Sequence, residues 1–431
     1  VIGFEPLHYF GLTDVGIRRS HNQDAFTAIP AKTREAWREQ GHLYLVADGM
    51  GGHAVGEKAS QQAARDIPLT FLKHAPDGVA SALRRAFVET NAAIHAVGVN
   101  NKEFQGLGTT ATALVLRPEG AWIAHVGDSR AYRIRGGRIQ QLTFDHSYLW
   151  EMARRQNVDP EELQGLKSNV IIRSLGPDAF VQVDVEGPHP IEAGDAYVIC
   201  SDGLSGPVSD SEIGAVVASL PAEEAARFLI QLANLRGGPD NITAVVIQVG
   251  GHDNMTHPRS SIWETLRKMH WSLPVLGAGV LLTVVAILVA VLGPRVLGLL
   301  LFLFAALTIG GGLVGLLLHA RAERRRRESD PPTNELHVYR EAPCDVDAAV
   351  VEKLARGIAE LRQKVEESFP KLVPELCGTY YKRGEELLKQ GKMIDAFREF
   401  CRAMHELARS YNSIRTKAEM FQPVWEKKKK G

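Results

Sequence analysis

Two long uncharged runs cut this 431-residue chain into three parts and limit what each part can become. Ser272 to Gly293 gives 22 residues without a charge, and after Pro294 and Arg295 the stretch Val296 to Leu318 gives another 23. About 20 apolar residues cross the hydrocarbon core of a bilayer as a helix, so each run is long enough. Gly293-Pro294 falls where a single buried helix would have to continue, which argues for a break there. The pattern predicts a transmembrane hairpin with helices at 272–293 and 296–318. Arg267 and Lys268 precede it, Arg321 and Arg324 to Arg327 follow it, and the connection holds only Arg295, so both flanks are expected on the cytoplasmic side. The expected localisation is the cytoplasmic membrane, with the segments before and after the hairpin in the cytoplasm. Four scattered cysteines, Cys200, Cys344, Cys377 and Cys401, agree with a reducing compartment and argue against a disulfide scaffold or zinc cage. The opening "VIGFEPLHYFG" has neither a basic n-region nor a long apolar core, so no signal peptide is expected from it.

Residues 1–250 read as a mixture of strands and helices. Short apolar runs at 43–47, 109–116, 121–126, 196–200 and 243–249 predict strands, and the spacing in 56–74 and 78–98 predicts helices. Apolar runs ending in turns, with the helices grouped early, point to a layered α+β domain rather than a regular alternation of strand and helix. A linker at 251–271 leads to the hairpin and a basic linker at 319–344 leaves it. Beyond them, 345–431 reads as a small all-α domain. Val350, Leu354, Ile358, Leu361, Val365 and Phe369 form one apolar stripe of an amphipathic helix. Fifty basic residues balance fifty acidic ones, so no nucleic-acid partner is indicated.

The carboxylates carry the chemistry. Asp48 closes the run "LYLVA", Asp128 follows "AWIAHVG", Asp202 follows "AYVICS", and Asp240 stands just before "NITAVVIQV". In antiparallel sheets the end of one strand lies beside the start of its neighbour, so all four can gather at one sheet edge. Clustered carboxylates repel unless cations neutralise them, and an oxygen-only ligand set suits hard ions such as Mg²⁺ or Mn²⁺. Taken singly, each Asp-Gly or Asp-Asn is an ordinary turn signal. The recurrence is what points to a metal centre.

The stretches "TDVGIRRSHNQDAF" (13–26), "VADGMGGH" (46–53), "GLGTTATALVL" (106–116), "AHVGDSRAYR" (124–133), "QLTFDHS" (141–147), "NVIIRSLG" (169–176), "CSDGL" (200–204) and "DNIT" (240–243) resemble, in order, the motifs of the bacterial metal-dependent serine/threonine protein phosphatases, the PPM or type-2C family. The resemblance covers about residues 8–250. It implies a four-layer α-β-β-α sandwich of two antiparallel sheets with a metal centre on one edge. It also implies Mn²⁺ or Mg²⁺ as cofactor, two ions with a third in bacterial members, and phosphorylated proteins supplied by a serine/threonine kinase system as partners. Carried over residue by residue, Asp48 would bridge two ions, Gly49 would bind one through its carbonyl, and Asp202 and Asp240 would complete the shell. Asp128 would help hold the third ion, sharing Asp202. Asp24 would belong to the metal shell or to its hydrogen-bonded surroundings. Arg19, selected over Arg18 by the Gly-x-x-Arg-x-x-Asn spacing, would clamp the substrate phosphate with a planar guanidinium. The implied reaction is attack on phosphorus by a water that the ions activate, without a covalent phosphoenzyme.

Two positions depart from the family pattern. Gln23 stands where many members have an acidic residue, and Met50 where eukaryotic members have a histidine; His53 lies nearby in sequence and reads as a turn or helix-opening residue. Rival readings exist. Cys377 and Arg383 have the Cys-x5-Arg spacing of cysteine-based phosphatases, although "CGTYYKR" runs into a helix and lacks a phosphate-cradling loop. A different class of reading is a catalytically weak, phosphoprotein-binding membrane scaffold that works through its helical tail. There, "YYKRGEELLKQGKMIDAFREFCRAM" resembles one tetratricopeptide unit at about 380–406, which would offer a surface to a protein partner.

Overall fold

A computed structural model of the chain describes residues 7–51, 55–163, 170–250, 272–329, 337–368 and 374–420. His53, Phe369 and the linker 251–271 lie outside the described residues. The strands are β1 (His8–Asp14), β2 (Asp24–Ile29), β3 (His42–Met50), β4 (Gly108–Thr109), β5 (Ala111–Arg117), β6 (Gly120–Val126), β7 (Arg130–Arg135), β8 (Arg138–Gln141), β9 (Asp184–His189), β10 (Ala196–Cys200), β11 (Ile242–Gln248) and β12 (Arg340–Pro343). The helices are α1 (Arg34–Glu39), α2 (Val55–His74), α3 (Val79–Asn100), α4 (Tyr148–Gln156), α5 (Asp202–Ser205), α6 (Asp210–Ser219), α7 (Ala222–Leu235), α8 (Ser272–Leu292), α9 (Arg295–Ser329), α10 (Ala348–Ser368), α11 (Glu375–Lys389) and α12 (Met393–Met420).

Two antiparallel sheets organise the first compact unit, in the orders β1-β11-β10-β7-β8-β12 and β2-β3-β5-β6-β9, with β4 paired to β3. Side chains alternate across each strand, and β3 shows where they go. Leu43, Leu45 and Ala47 join one core with α2 and α3, while Tyr44 and Val46 face the opposite sheet. The same alternation on β10 sends Val198 and Cys200 toward α6 and α7, and Tyr197 and Ile199 into the space between the sheets. Burial on both faces explains why these strands read as unbroken apolar runs. The layers are α, β, β, α in that order. Helix α2 runs through Pro68, which is buried within it.

The same compact unit takes in the C-terminal segment: it comprises Val1–His257 and Leu336–Gly431. Strand β12 adds itself to the sheet edge beside β8, and α10 and α12 extend the core of α6 and α7 through Val351, Ile358, Phe397, Phe400 and Leu407. The apolar stripe of α10 is buried at Ile358 and Val365, as its spacing predicts, with Val351 and Ala355 buried ahead of them. The stretch resembling a tetratricopeptide unit is an antiparallel helix pair in which Gly384 lies under Phe400, leaving 2.8 Å between the ring and a Cβ placed there. Cys377 is fully buried inside α11 and its thiol is pushed up by burial, so it is no thiolate nucleophile.

The second unit, Pro258–Glu335, holds α8 and α9. The helices run back along each other, with Gly298 against Ala290 and Gly279 against Ile309. Among the described residues no helix is long and apolar enough to cross a membrane. This overturns the expected transmembrane hairpin, and with it the localisation in the cytoplasmic membrane that had been drawn from the hairpin and its basic flanks.

Candidate active site

The strand register sets the site. Asp24 opens β2 directly opposite Asp48 near the end of β3. Asp202 begins α5 just after β10, and Asp240 precedes β11, the strand that pairs with β10. Asp128 lies in the turn between β6 and β7. Five separate chain segments thereby deliver Asp24, Asp48, Asp128, Asp202 and Asp240 to one edge of the sandwich.

The backbone around Asp48 is held from two sides. Its N–H donates to Thr110 Oγ1 (2.9 Å), and its carbonyl accepts from Thr110 N (2.8 Å) and Thr109 Oγ1 (2.9 Å). Gly49 N donates to the Gln23 carbonyl at 3.0 Å. A Cβ on Gly49 would lie 2.2 Å from the Gly56 carbonyl oxygen and 2.6 Å from that of Gln23, so only glycine fits where α2 begins. The Asp-Gly pair is therefore a packing requirement as well as a place where a carbonyl can approach an ion.

Burial and mutual repulsion raise the carboxylate pKa values. Asp48 is held well above the usual range by burial first, then by Asp24, Asp202, Asp128 and Asp240. Burial also raises Asp202, with Asp240 adding to it, and raises Asp128, with Asp202 adding to it. Asp24 is raised to about 7, chiefly by burial, against the hydrogen bonds that its Oδ2 accepts from Thr243 Oγ1 (2.6 Å) and Ser201 Oγ (2.7 Å). These couplings mean that the charges feel one another and that the full set is costly to ionise without a cation.

Among the described residues no group of three or more His, Cys, Asp or Glu side chains is arranged as it stands to hold a metal ion. Two of the carboxylates are engaged locally: Asp24 is turned onto two hydroxyls, and Asp240 Oδ2 accepts from Arg19 Nη2 at 2.7 Å. The donor set nevertheless fits a hard dication. All its ligand atoms are oxygen, and Asp24 Oδ1, Asp128 Oδ1 and Asp202 Oδ1 are buried with no hydrogen-bond partner. A buried carboxylate oxygen without a partner is costly, and an ion is the partner its charge favours.

Arg19 rather than Arg18 is drawn to the cluster: besides its bond to Asp240, it feels the charges of Asp48 and Asp202. Half-exposed, it stands at the cluster's open side. Gln23 faces the site with its main chain, its N–H donating to Asn241 Oδ1 at 2.8 Å. Met50 ends β3 opposite Gly108.

Several supporting residues lay in the sequence without an assigned role. Asn241 ties the Arg19 loop to Asp240, its Nδ2 donating to the carbonyls of Val15 and His21. Ser201 and Thr243 hold Asp24, and Thr109 and Thr110 hold Asp48. The only signal for them was adjacency to the carboxylates, since a hydroxyl beside an aspartate is common in any turn. Arg130 is another. It grips Asp145 through Nε and Nη2 (2.8 Å to Oδ2) and sits 3.6 Å from Asp210, beneath Asp128.

Residues 10–151 match the family model described as protein phosphatase 2C. The protein phosphatase PhpP of Streptococcus pneumoniae is 35% identical over 248 residues, covering 56% of this chain and 97% of that protein. The serine/threonine protein phosphatase PstP of Mycobacterium tuberculosis is 34% identical over 255 residues, covering 57% of this chain and 46% of that protein. A solved catalytic domain of PstP in complex with two manganese ions is 34% identical and covers 57% of this chain and 99% of that domain, with a TM-score of 0.47. The serine/threonine phosphatase Stp1 of Staphylococcus aureus is 28% identical, with a TM-score of 0.50, covering 58% of this chain and 97% of that one.

Proposed function

The chain belongs to the protein phosphatase 2C family, and on that premise we propose that the carboxylate cluster is a two-ion centre that hydrolyses phosphoserine and phosphothreonine in proteins. The enzyme class is protein serine/threonine phosphatase. The observation that carries the site assignment is the convergence of Asp24, Asp48, Asp128, Asp202 and Asp240, with three buried oxygens that no protein group satisfies. Mn²⁺ or Mg²⁺ suits that donor set, and the manganese-bound PstP domain, at 34% identity, supports it. Asp48, Asp202, Asp240 and the Gly49 carbonyl would hold two ions, and Asp128 with Asp202 a third. Bound there, the ions supply Lewis acidity, lowering the pKa of water and offsetting charge on phosphate oxygens.

The chain's own residues do the rest. Asp24 stays on Ser201 and Thr243 and orients the floor of the site. Thr109, Thr110 and the Gly49–Gly56 contact fix the Asp48 backbone, so ligand oxygens need little reorganisation. Arg19 leaves Asp240 for the phosphate of the substrate, exchanging one charge-assisted pair for another. The phosphoproteins would come from a serine/threonine kinase, whose product this reaction reverses.

Substitution separates the role of Arg19 from that of the ions. Arg19→Ala is expected to raise KM for a phosphothreonine peptide about tenfold or more, the loss of roughly 1.5–3 kcal/mol for a hydrogen bond to a charged group, with manganese affinity nearly intact. Arg18→Ala should change KM less than twofold by the same measure of an exposed side chain. Steady-state kinetics with calorimetric Mn²⁺ titration checks this. The reverse pattern would assign the phosphate to Arg18.

A further inference from the structure

The segment between β8 and β9 is rooted on both sides of the carboxylate cluster. At one root, His146 N donates to the Gly127 carbonyl (2.7 Å) and Gly127 N donates to His146 Nδ1 (3.0 Å), next to Asp128. At the other, Leu175 and Thr109 exchange main-chain hydrogen bonds at 2.8 and 3.0 Å, and the Thr109 hydroxyl donates to the Asp48 carbonyl. Between the roots, the described part carries α4 and a short acidic turn at Pro160–Glu162. Whatever holds that turn therefore holds part of a segment rooted beside the cluster at both ends.

The C-terminal segment holds it. Strand β12 pairs antiparallel with β8, extended by Tyr339 N donating to the Gln141 carbonyl and Cys344 N to that of Gly137. From this strand Arg340 reaches three carboxylates. It bonds Glu161 in the acidic turn, lies 4.0 Å from Asp159 beside it, and lies 3.7 Å from Asp210. Asp210 also accepts from Tyr132 Oη (2.8 Å) and neighbours Arg130, the residue that grips Asp145 at the root of the segment. An alternating run of acids and guanidinium groups thus links Glu161, Arg340, Asp210, Arg130 and Asp145. Next to Arg340, Tyr339 packs its ring on Phe144 and donates its hydroxyl to Glu186 on β9 at 2.6 Å.

We propose that Arg340 is a positioning residue for the acidic turn 159–162, so that the C-terminal domain, through β12, sets the rim that a phosphoprotein meets at the site. A small aryl phosphate does not extend to that rim, whereas a folded substrate does. The kinetic consequence rests on the phosphatase reading above, but the structural consequence does not.

The test uses the full chain. In Arg340→Ala, hydrogen exchange of peptides covering 148–162 is expected to rise about two- to fivefold, the factor that up to about 1 kcal/mol from an ion pair with exposed acids represents. Exchange in α6, α7 and α12 should stay as in the parent. KM for a phosphorylated protein should rise about fivefold with kcat held, while p-nitrophenyl phosphate kinetics stay within twofold. Glu161→Gln should raise exchange in the same peptides, and the double variant should match Arg340→Ala, because Glu161 acts through Arg340. Unchanged exchange at 148–162, an equal rise throughout the unit, or additive effects in the double variant would each overturn the proposal. If exchange responds in a protein with no phosphatase activity, the proposed function fails and the positioning role of Arg340 remains.

Discussion

Asp202→Asn is expected to lower kcat/KM for a phosphothreonine peptide by about 10²–10³-fold, the scale for removing one preorganised charge-stabilising group, without unfolding the protein. Asparagine keeps the shape of the side chain and most of its hydrogen bonds but cannot carry the negative charge that an ion needs. The stability sign runs the other way. Asp202 has its pKa raised in the folded protein, mainly by burial and then by Asp240. A raised carboxylate costs stability once the pH exceeds its unfolded value, because the folded state then has to hold a charge it disfavours. Replacing it with a neutral amide removes that cost at pH 7. Thermal unfolding in chelator should therefore give the variant a Tm equal to or above that of the parent, alongside the lost activity. A Tm several degrees lower would mean that Asp202 serves the fold, not the ions.

Arg130→Met should be the most damaging single change outside the cluster, costing about 3–5 kcal/mol, the range for breaking a buried ion pair from one side. Asp145, 6% exposed, accepts three hydrogen bonds from this guanidinium, and Asp210 sits beside it. Methionine matches much of the volume, so the loss is electrostatic: two carboxylates remain with too little positive charge between them. For a unit of this size each kcal/mol lowers Tm by roughly 2–4 °C, so a fall of about 6–20 °C is expected by differential scanning fluorimetry. A fall below about 2 °C on that same scale would show that the pair is solvated and the network inert. Because Arg130 also lowers the cost of ionising Asp128, the variant should need more Mn²⁺ to reach half its maximal rate.

The strands and the carboxylates were legible because burial on both faces and the return of each strand to one edge leave direct marks on the sequence. Leu43–Ala47 and Tyr197–Cys200 are apolar at every position for that reason. The run at 109–116 was read as one strand and is two, split where Thr110 turns to hold Asp48. What an isolated stretch could not show was its partner. "REAP" is a short, polar strand containing a proline, and nothing in it announces the β8 edge that it covers. The stripe on α10 says that one face is buried but not that α12 buries it. For Asp24 the sequence leaves ligand and support open, because only the register with Asp48 and the two hydroxyls reveals its surroundings. The hairpin shows the opposite failure. A count of uncharged residues predicts two spans, and among the described residues no helix is long and apolar enough to cross a membrane.

The central claim is that this edge of the sandwich hydrolyses phosphoproteins through ions held by its aspartates. Phosphate release from a phosphothreonine peptide by the full chain, stripped with chelator and then titrated with Mn²⁺, tests it most directly. The account predicts no release above background in chelator, saturable recovery with Mn²⁺ or Mg²⁺, and no recovery at any ion concentration in Asp48→Asn. Undiminished hydrolysis in chelator, or a parental rate from Asp48→Asn, would contradict it.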